Sequence, residues 1–403
     1  GGWSGIRLSV GGREFVAVQD VGFLVTGVLE WGGDPSRLLS AVDASIGALL
    51  SPSGKRLDTM GNDKAWSDAE GLASVLPHAP FEGVYVSFER EGRVWKYPSV
   101  NGTLSLLPQS IGLDNRSEIA SCAYNGGLEA VESLPEAGLL MICEDVTLDD
   151  ETKREVGGGM GTAEYGAVRG WVATDIAGQT EGKLSPIRYL VRDGLSPVAT
   201  AKIPDTQDVL VLERTYKAGI GNTLRVRYVS AESVQAAEAS DCVLDGSLVG
   251  ELNPKVHFTD NFEGMDVFSG GVGGVEVVIV SDDNFNHAQQ RTLIYSFSLD
   301  TTKLLPSSCL PAVSFKSSLH SREGDHGYTN GAWHIVIPAI FIICLLVTAI
   351  VCILQRRRKY LFQQMRGDDD IELQQNSHVG EEGDSGTEDK EQSAGVWQGE
   401  MRE

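Results

Sequence analysis

The chain has 403 residues, with 33 Lys and Arg against 56 Asp and Glu and a formal net charge of −23, which excludes a nucleic-acid binder that works through bulk positive charge. Glycine fills 47 positions, above the ~7% of average proteins, yet there is no Gly-X-Y period, and a hydrophobic content of 41% is enough for a packed core. Collagen-like and wholly disordered chains are excluded with it.

The chain opens on Gly1, and no charged segment with an apolar stretch precedes the first strand-like run. It is therefore expected to begin downstream of a secretory signal. Up to about residue 305 helical periodicity is scarce. Short apolar and β-branched runs at Glu14–Val18, Gly83–Phe88, Leu139–Cys143, Asp208–Leu212 and Glu276–Val280 alternate with Gly, Asp, Asn and Pro clusters. Each run is the length of one strand, so residues 1–305 read as an all-β ectodomain.

Aligning these runs on what precedes them exposes a weak repeat. Asp68-Ala-Glu-Gly-Leu-Ala73 leads to Val86-Ser-Phe-Glu-Arg90, Asn125-Gly-Gly-Leu-Glu-Ala130 leads to Met141-Ile-Cys-Glu144, and Asn261-Phe-Glu-Gly-Met-Asp266 leads to Ile279-Val-Ser-Asp-Asp283. Degenerate copies run from Ser4-Gly-Ile6 to Val18-Gln-Asp20 and from Val198-Ala-Thr200 to Leu212-Glu-Arg214. Such units predict a β-propeller of about five to six blades, preferred over a two-sheet sandwich on length and repetition. In a hairpin the start of the first strand and the end of the second share one end. If each unit holds the two inner strands of a blade, its acids converge on one mouth of a central channel, where they repel each other or demand a cation. The run Thr292–Leu299, last before the membrane linker, is expected to neighbour the segment near Gly1 and close the ring.

Residues 306–333 read as a juxtamembrane linker. The stretch Ile335–Leu354 carries no charge and matches the ~20 residues that cross a bilayer, which predicts a transmembrane helix over 334–355. Arg356, Arg357, Arg358 and Lys359 follow it, so the N-terminus is expected to be extracellular or luminal and the C-terminus cytoplasmic. Membrane lipid is the expected partner of the helix. The acidic tail 356–403 is expected to be disordered, with Ser385 and Thr387 as phosphorylation candidates. Cys122, Cys143, Cys242 and Cys309 lie on the outer side, where three pairings are open. Asn101 and Asn115 head glycosylation sequons there.

Several of these segments resemble a known family: Ser67–Ala73 with Val86–Arg90, Asn125–Ala130, Val211–Arg214, and above all Asn261–Asp266 followed by Val280–Phe285. Over roughly Gly1 to Leu299 the chain resembles the phytase-like domain family, described by an "esterase-like activity of phytase". The resemblance implies a propeller-type fold and a phosphate-ester or carboxyl-ester hydrolase. Two departures stand out. Pro197–Lys202, the first strand of the fourth unit, holds no acid, and 145–185 and 230–260 read as loops longer than the family core.

The sequence contains no Arg-His-Gly phosphatase signature, Cys-x5-Arg loop, Gly-x-Ser-x-Gly elbow or His-Glu-x-x-His pair, which disfavours covalent routes. Oxygen-ligand metal chemistry remains. Glu70, Glu129, Glu263 and Asp282 are the expected ligands of Ca²⁺ or another hard divalent cation, with Glu70, Glu129 and Glu263 at the chemistry. Arg90 and Arg214 are expected to hold the substrate anion. Against this stands the reading of each Glu-Gly or Glu-Arg pair as a blade brace, since buried charges must be paired. At the level of the whole protein, a membrane-anchored, cation-dependent hydrolase of a small-molecule ester competes with a non-catalytic receptor or adhesion propeller that binds an extracellular ligand. A basic groove beside the acid mouth would favour the enzyme, and a broad apolar patch on the outer face the receptor.

Overall fold

In the computed structural model, residues 2–311 are described apart from 33–37, 61–63, 115, 123–125, 145–164, 177–181, 271–273, 285 and 287–289. The expected membrane span, cytoplasmic tail, Asn115 and most of the linker lie outside the described residues. Among those described, no helix is long and apolar enough to cross a membrane.

The strands gather into five sheets, each a blade of one β-propeller. The first blade is β1 (Gly5–Leu8), β2 (Glu14–Gln19), β3 (Phe23–Trp31) and β4 (Leu38–Ala48). In the second, β5 (Ala69–Ser74), β6 (Gly83–Phe88), β7 (Arg93–Val100) and β8 (Thr103–Leu104) follow in order, with β9 (Gln109–Ser110) also on β7. The third holds β10 (Leu128–Leu134), β11 (Gly138–Cys143), β12 (Tyr165–Thr174) and β13 (Lys183–Arg192). The outer edge of this blade is extended by β17 (Cys242–Asp245), parallel to β13, and by β22 (Ser308–Pro311), antiparallel to β17. The fourth is β14 (Ser196–Lys202), β15 (Val209–Lys217), β16 (Gly221–Val229) and β18 (Ser247–Leu252), and the fifth β19 (Asn261–Ser269), β20 (Val275–Asp282) and β21 (Ile294–Leu299). The described parts of the two expected long loops hold regular elements, while 145–164 and 177–181 lie outside the described residues. Residues 165–174 and 183–185 belong to β12 and β13, while 230–260 holds β17, β18 and the helix α1 (Ala231–Ala239), capped by the Ser230 side chain.

Period-2 alternation decides which neighbour each side chain meets. In β2, Val16 and Val18 pack towards the second blade with Val86 and Phe88, while Phe15 and Ala17 pack towards the fifth with Val278 and Val280. In β20 the same split sends Val277 and Ile279 to the fourth blade and Val278 and Val280 to the first. Both faces of an inner strand are therefore buried, which explains continuous apolar runs such as Gly138–Cys143. Five apolar clusters fill the five blade-to-blade interfaces, each fully buried Val, Leu or Ile contributing ~1.5–3 kcal/mol.

The inner strands β1, β5, β10, β14 and β19 adjoin in that order, and β19 returns to β1. The ring therefore closes by side-chain burial between the fifth and first blades, without an exchanged strand. Trp3 N–H donates to Ser281 O at 3.3 Å, and Ile294 of β21 packs on the cluster of Ile6, Leu8 and Phe15. The run Thr292–Leu299 reaches the first blade in this side-on way, while its backbone pairs with β20.

One end of the channel is sealed by Arg7, which is buried on β1. Its guanidinium donates to the carbonyls of Ile6 (2.9 Å), Met265 (2.7 Å), Val131 (3.0 Å) and Thr200 (2.9 Å), and to Glu132 Oε2 at 3.1 Å. Asp266 lies 4.0 Å away and accepts from Leu8 N–H. One side chain thus ties the first, third, fourth and fifth blades together. The disulfides are Cys122–Cys143 and Cys242–Cys309, the second fastening β22 to β17. Asn101 and Gly102 both have positive φ, 55° and 77°, in the two-residue turn joining β7 to β8, the conformation for which Asn-Gly is suited.

Candidate functional site

At the opposite end, the inner strands of the second to fifth blades each carry a β-bulge near their start. The pairing skips between Ala69 and Leu72, Leu128 and Ala130, Pro197 and Ala199, and Phe262 and Gly264. The extra residues are Glu70 with Gly71, Glu129, Val198 and Glu263. A bulge leaves one residue unpaired and re-aims its side chain, and in three blades that residue is the glutamate of the repeat. Glycine follows in Glu70-Gly71 because a Cβ on Gly71 would sit 2.4 Å from the Glu129 carbonyl oxygen of the next blade. The same contact is stitched by Ser87, whose Oγ accepts from Gly71 N–H at 3.0 Å and donates to Leu128 O at 2.6 Å.

The ends of the second strands supply a further set: Asp20 just past β2, Glu89 past β6, Glu144 past β11, Arg214 within β15 and Asp282 closing β20. The fourth blade, with apolar Val198 at its bulge, contributes a cation here instead of an acid. Carboxylate oxygens of Asp68, Glu70 and Glu89 lie within 4.8 Å of one another, and so do those of Glu89, Glu129 and Glu144. Glu89 belongs to both groups.

Arg214 closes the cluster on its other side, donating to Glu144 Oε1 at 3.0 Å and to Glu263 Oε1 at 2.6 Å, and bonding Asn261 Oδ1. Asn261 Nδ2 also donates to Glu263 Oε1 at 2.7 Å. Arg90 Nε stands 2.8 Å from Asp68 Oδ2. Lys64 pairs with Asp20 and lies 3.8 Å from Asp68 Oδ1. Asp282 sits at the edge, its Oδ1 accepting from Asn284 N–H at 2.7 Å.

Glu70, Glu129 and Glu263 are accordingly brought to one mouth, although 59 and 134 residues separate them along the chain. Glu70 and Glu129 enter the close acid groups, while Glu263 is engaged by Arg214 and Asp282 stays at the edge. Asp68, Glu89 and Glu144, absent from the expected ligand set, take their places. Their signal was present in the sequence as the acids that open or end each repeat unit. Beneath the acids a cavity of ≈ 10 Å³, about the space of one water, is lined by Glu129 and Glu263 above and Arg7 below.

Burial and mutual repulsion raise the acids' pKa values. Desolvation, then the charges of Glu263, Asp68 and Glu89, hold Glu70 well above the usual carboxylate range. Desolvation and then Glu144 and Glu70 do the same to Glu129. Glu89 is pushed up to about 8 by burial and by its hydrogen bond with Asp68, so these two carboxyls share a proton. Glu263 rises to about 7 through desolvation despite Arg214, and Asp282 to about 6 through desolvation and then Asp20.

The residues fit a hard cation. Glu129 Oε2, Glu263 Oε2 and Asp20 Oδ1 are buried without a hydrogen-bond partner, although an unpaired buried charge is costly. Carboxylate oxygens are the ligands Ca²⁺ prefers, at 2.3–2.6 Å. Asp68, Glu70 and Glu89, or Glu89, Glu129 and Glu144, would hold an ion.

The sequence profile of the phytase-like family, described as esterase-like activity of phytase, matches residues 1–285. Curated proteins provide no match. Among solved structures, the β-propeller domain of Myceliophteria thermophila Cps50 (Swd1) is 9% identical, with 68% of this chain and 79% of that chain covered and a TM-score of 0.30. Dihydro-heme d1 dehydrogenase NirN in complex with DHE is 14% identical, with 76% of this chain and 46% of that chain covered and a TM-score of 0.30.

Proposed function

The chain belongs to the phytase-like family, and from that premise we propose that its propeller is a divalent-cation-dependent phosphoester or carboxylester hydrolase, held outside the cytosol by a single membrane-spanning segment. The observation that carries the reading is the set of buried, unpartnered carboxylate oxygens at the channel mouth. Among the described residues, Glu129 Oε2 and Glu263 Oε2 accept no hydrogen bond although the acids around them crowd one mouth. A cation bound there would polarise the ester and acidify a water nucleophile.

The protein's own groups have distinct parts. Asp68, Glu70 and Glu89, or Glu89, Glu129 and Glu144, would hold the cation. Arg90, 22% exposed beside Asp68, meets the substrate anion. Arg214, sunk between Glu144 and Glu263, positions those two carboxylates. Placement outside the cytosol is supported by the charge-free stretch Ile335–Leu354 with its basic flank and by two disulfides, which persist in oxidising compartments.

The test is turnover of a panel of phosphate and carboxylate esters by the intact chain in detergent, with and without Ca²⁺. Hydrolysis should require the ion and fall by about a hundredfold in the Glu70→Gln, Glu129→Gln double variant while the fold persists. Calcium binding without turnover of any ester would leave a non-catalytic binding propeller.

A further inference from the structure

The surface carries a second concavity. Lys55, Arg56, Thr59, Met60 and Trp66 line an open groove of ≈ 560 Å³, within the range of small-molecule sites. One turn of 3-10 helix, Lys64–Trp66, connects it to the mouth. Lys64 at the start of that turn is paired with Asp20 and Asp68, and Trp66 at its end forms a wall of the groove. With a rise of ~2 Å per residue, the two residues are only about 4 Å apart along the axis.

Trp66 is held from within. The Arg93 guanidinium carbon lies 5.2 Å from the Trp66 ring centroid, and Arg93 Nη2 donates to the Trp66 carbonyl. Arg93 is itself buried and stacked on Phe88 and Trp95 at 3.9 and 4.6 Å. The indole is thus backed by a fixed cation while 38% of it stays exposed. Arg56 is also pre-set: Asp58 accepts from its Nε at 3.0 Å and its Nη2 at 2.7 Å. Arg56 Nη1 and the Lys55 ammonium have no hydrogen-bond partner among the described residues. On a chain of net charge −23, this combination of a flat ring and outward cations selects a flat anion.

We infer that this groove binds the alcohol portion of the substrate, an aromatic alcohol that itself carries a negative charge, and so delivers its ester to the acid mouth. The inference rests on the hydrolase reading for the second clause only. The aromatic ring stacks on Trp66, its anionic substituent meets Lys55 and Arg56, and the ester oxygen points across Lys64 towards Asp68 and Glu89.

The probe is 4-hydroxybenzoate, which has the ring and the anion but no ester, titrated calorimetrically into the intact chain with and without Ca²⁺. Binding should be independent of Ca²⁺ and weaken about tenfold or more in Trp66→Ala and in the Lys55→Gln, Arg56→Gln double variant, whose exposed positions leave the fold intact. Cyclohexanol, lacking both the aromatic ring and the charge, should bind at least tenfold more weakly than 4-hydroxybenzoate. Affinity unchanged in the Lys55, Arg56 variant, or equal for the two probes, overturns the groove whatever the esterase assay gives. A Trp66- and Lys55-dependent site on a chain that hydrolyses nothing keeps the aromatic-anion site and removes only the hydrolase.

Discussion

The two ends of the central channel are made by the same inner strands and solve the burial of charge in opposite ways. At the Arg7 end one cation faces four carbonyl oxygens and the carboxylates of Glu132 and Asp266, so its charge is matched, with its Nε left without a hydrogen bond among the described residues, and it ties four blades together. At the other end the carboxylates outnumber Lys64, Arg90 and Arg214, and oxygens of Glu129 and Glu263 are left without a partner. Charge met by opposite charge stabilises a fold, whereas an excess of acids crowded at one mouth must hold protons or take a cation.

If that contrast is right, Arg7→Met should show the largest effect. Truncating one member of a buried charge group costs ~3–5 kcal/mol because its partners stay buried and uncompensated. Chemical denaturation of the intact chain measures it, and a loss under about 1 kcal/mol would show that the plug is dispensable. Next in size, Glu129→Gln should leave cation-free stability unchanged or higher, since it removes an unpaired buried charge. It should also weaken Ca²⁺ binding by about tenfold or more in calorimetry. A stability loss matching that of Arg7→Met would erase the difference between the ends.

The pH dependence sharpens the same comparison. Folded Glu89 holds its proton to about pH 8 and Glu263 to about 7, against the ordinary 4.5. Between these values the folded state binds more protons than the unfolded one, so their contribution is full below about pH 4.5 and is lost as pH rises through 7 to 8. The cation-free chain should melt several degrees lower at pH 8.5 than at pH 5.5. Saturating Ca²⁺ should remove most of that fall, because the ion replaces the proton among the carboxylates. At the plug end Asp266 titrates at about 6, so any Ca²⁺-insensitive remainder should centre there. The smallest effect belongs to the outer edge. Asn101→Gln should cost a few tenths of a kcal/mol, since its φ of 55° suits Asn, and it should reduce the mass lost on glycosidase treatment by one glycan, the sequon at Asn115 being left intact.

Much of the site was legible because it repeats. The acid, small residue and apolar-strand pattern marked Glu70, Glu129 and Glu263 as equivalent, and hairpin geometry alone sends equivalent positions to one end. The choice among neighbouring acids was not legible. That Glu89 of the second blade meets Glu129 and Glu144 of the third depends on which blade stands next in the ring, a relation that no single hairpin encodes. Arg214 read as a substrate ligand because an Arg after a strand acid carries no mark of its neighbours, and only packing shows it between Glu144 and Glu263. Arg7 had a local signal, a lone charge between Ile6 and Leu8 in an apolar strand, but its partners lie on four blades.

By itself the sequence determined the all-β class, the inner-strand runs and turns such as that at Asn101 and Gly102, since these follow from short apolar runs and from residues that tolerate positive φ. It also determined that acids recur at strand ends. Tertiary structure decided that five blades close by burial without a shared strand, that β22 returns to the third blade, and that one channel end is neutralised while the other is not. Those outcomes turn on side-chain volume and charge meeting across interfaces between distant segments, which no local pattern encodes.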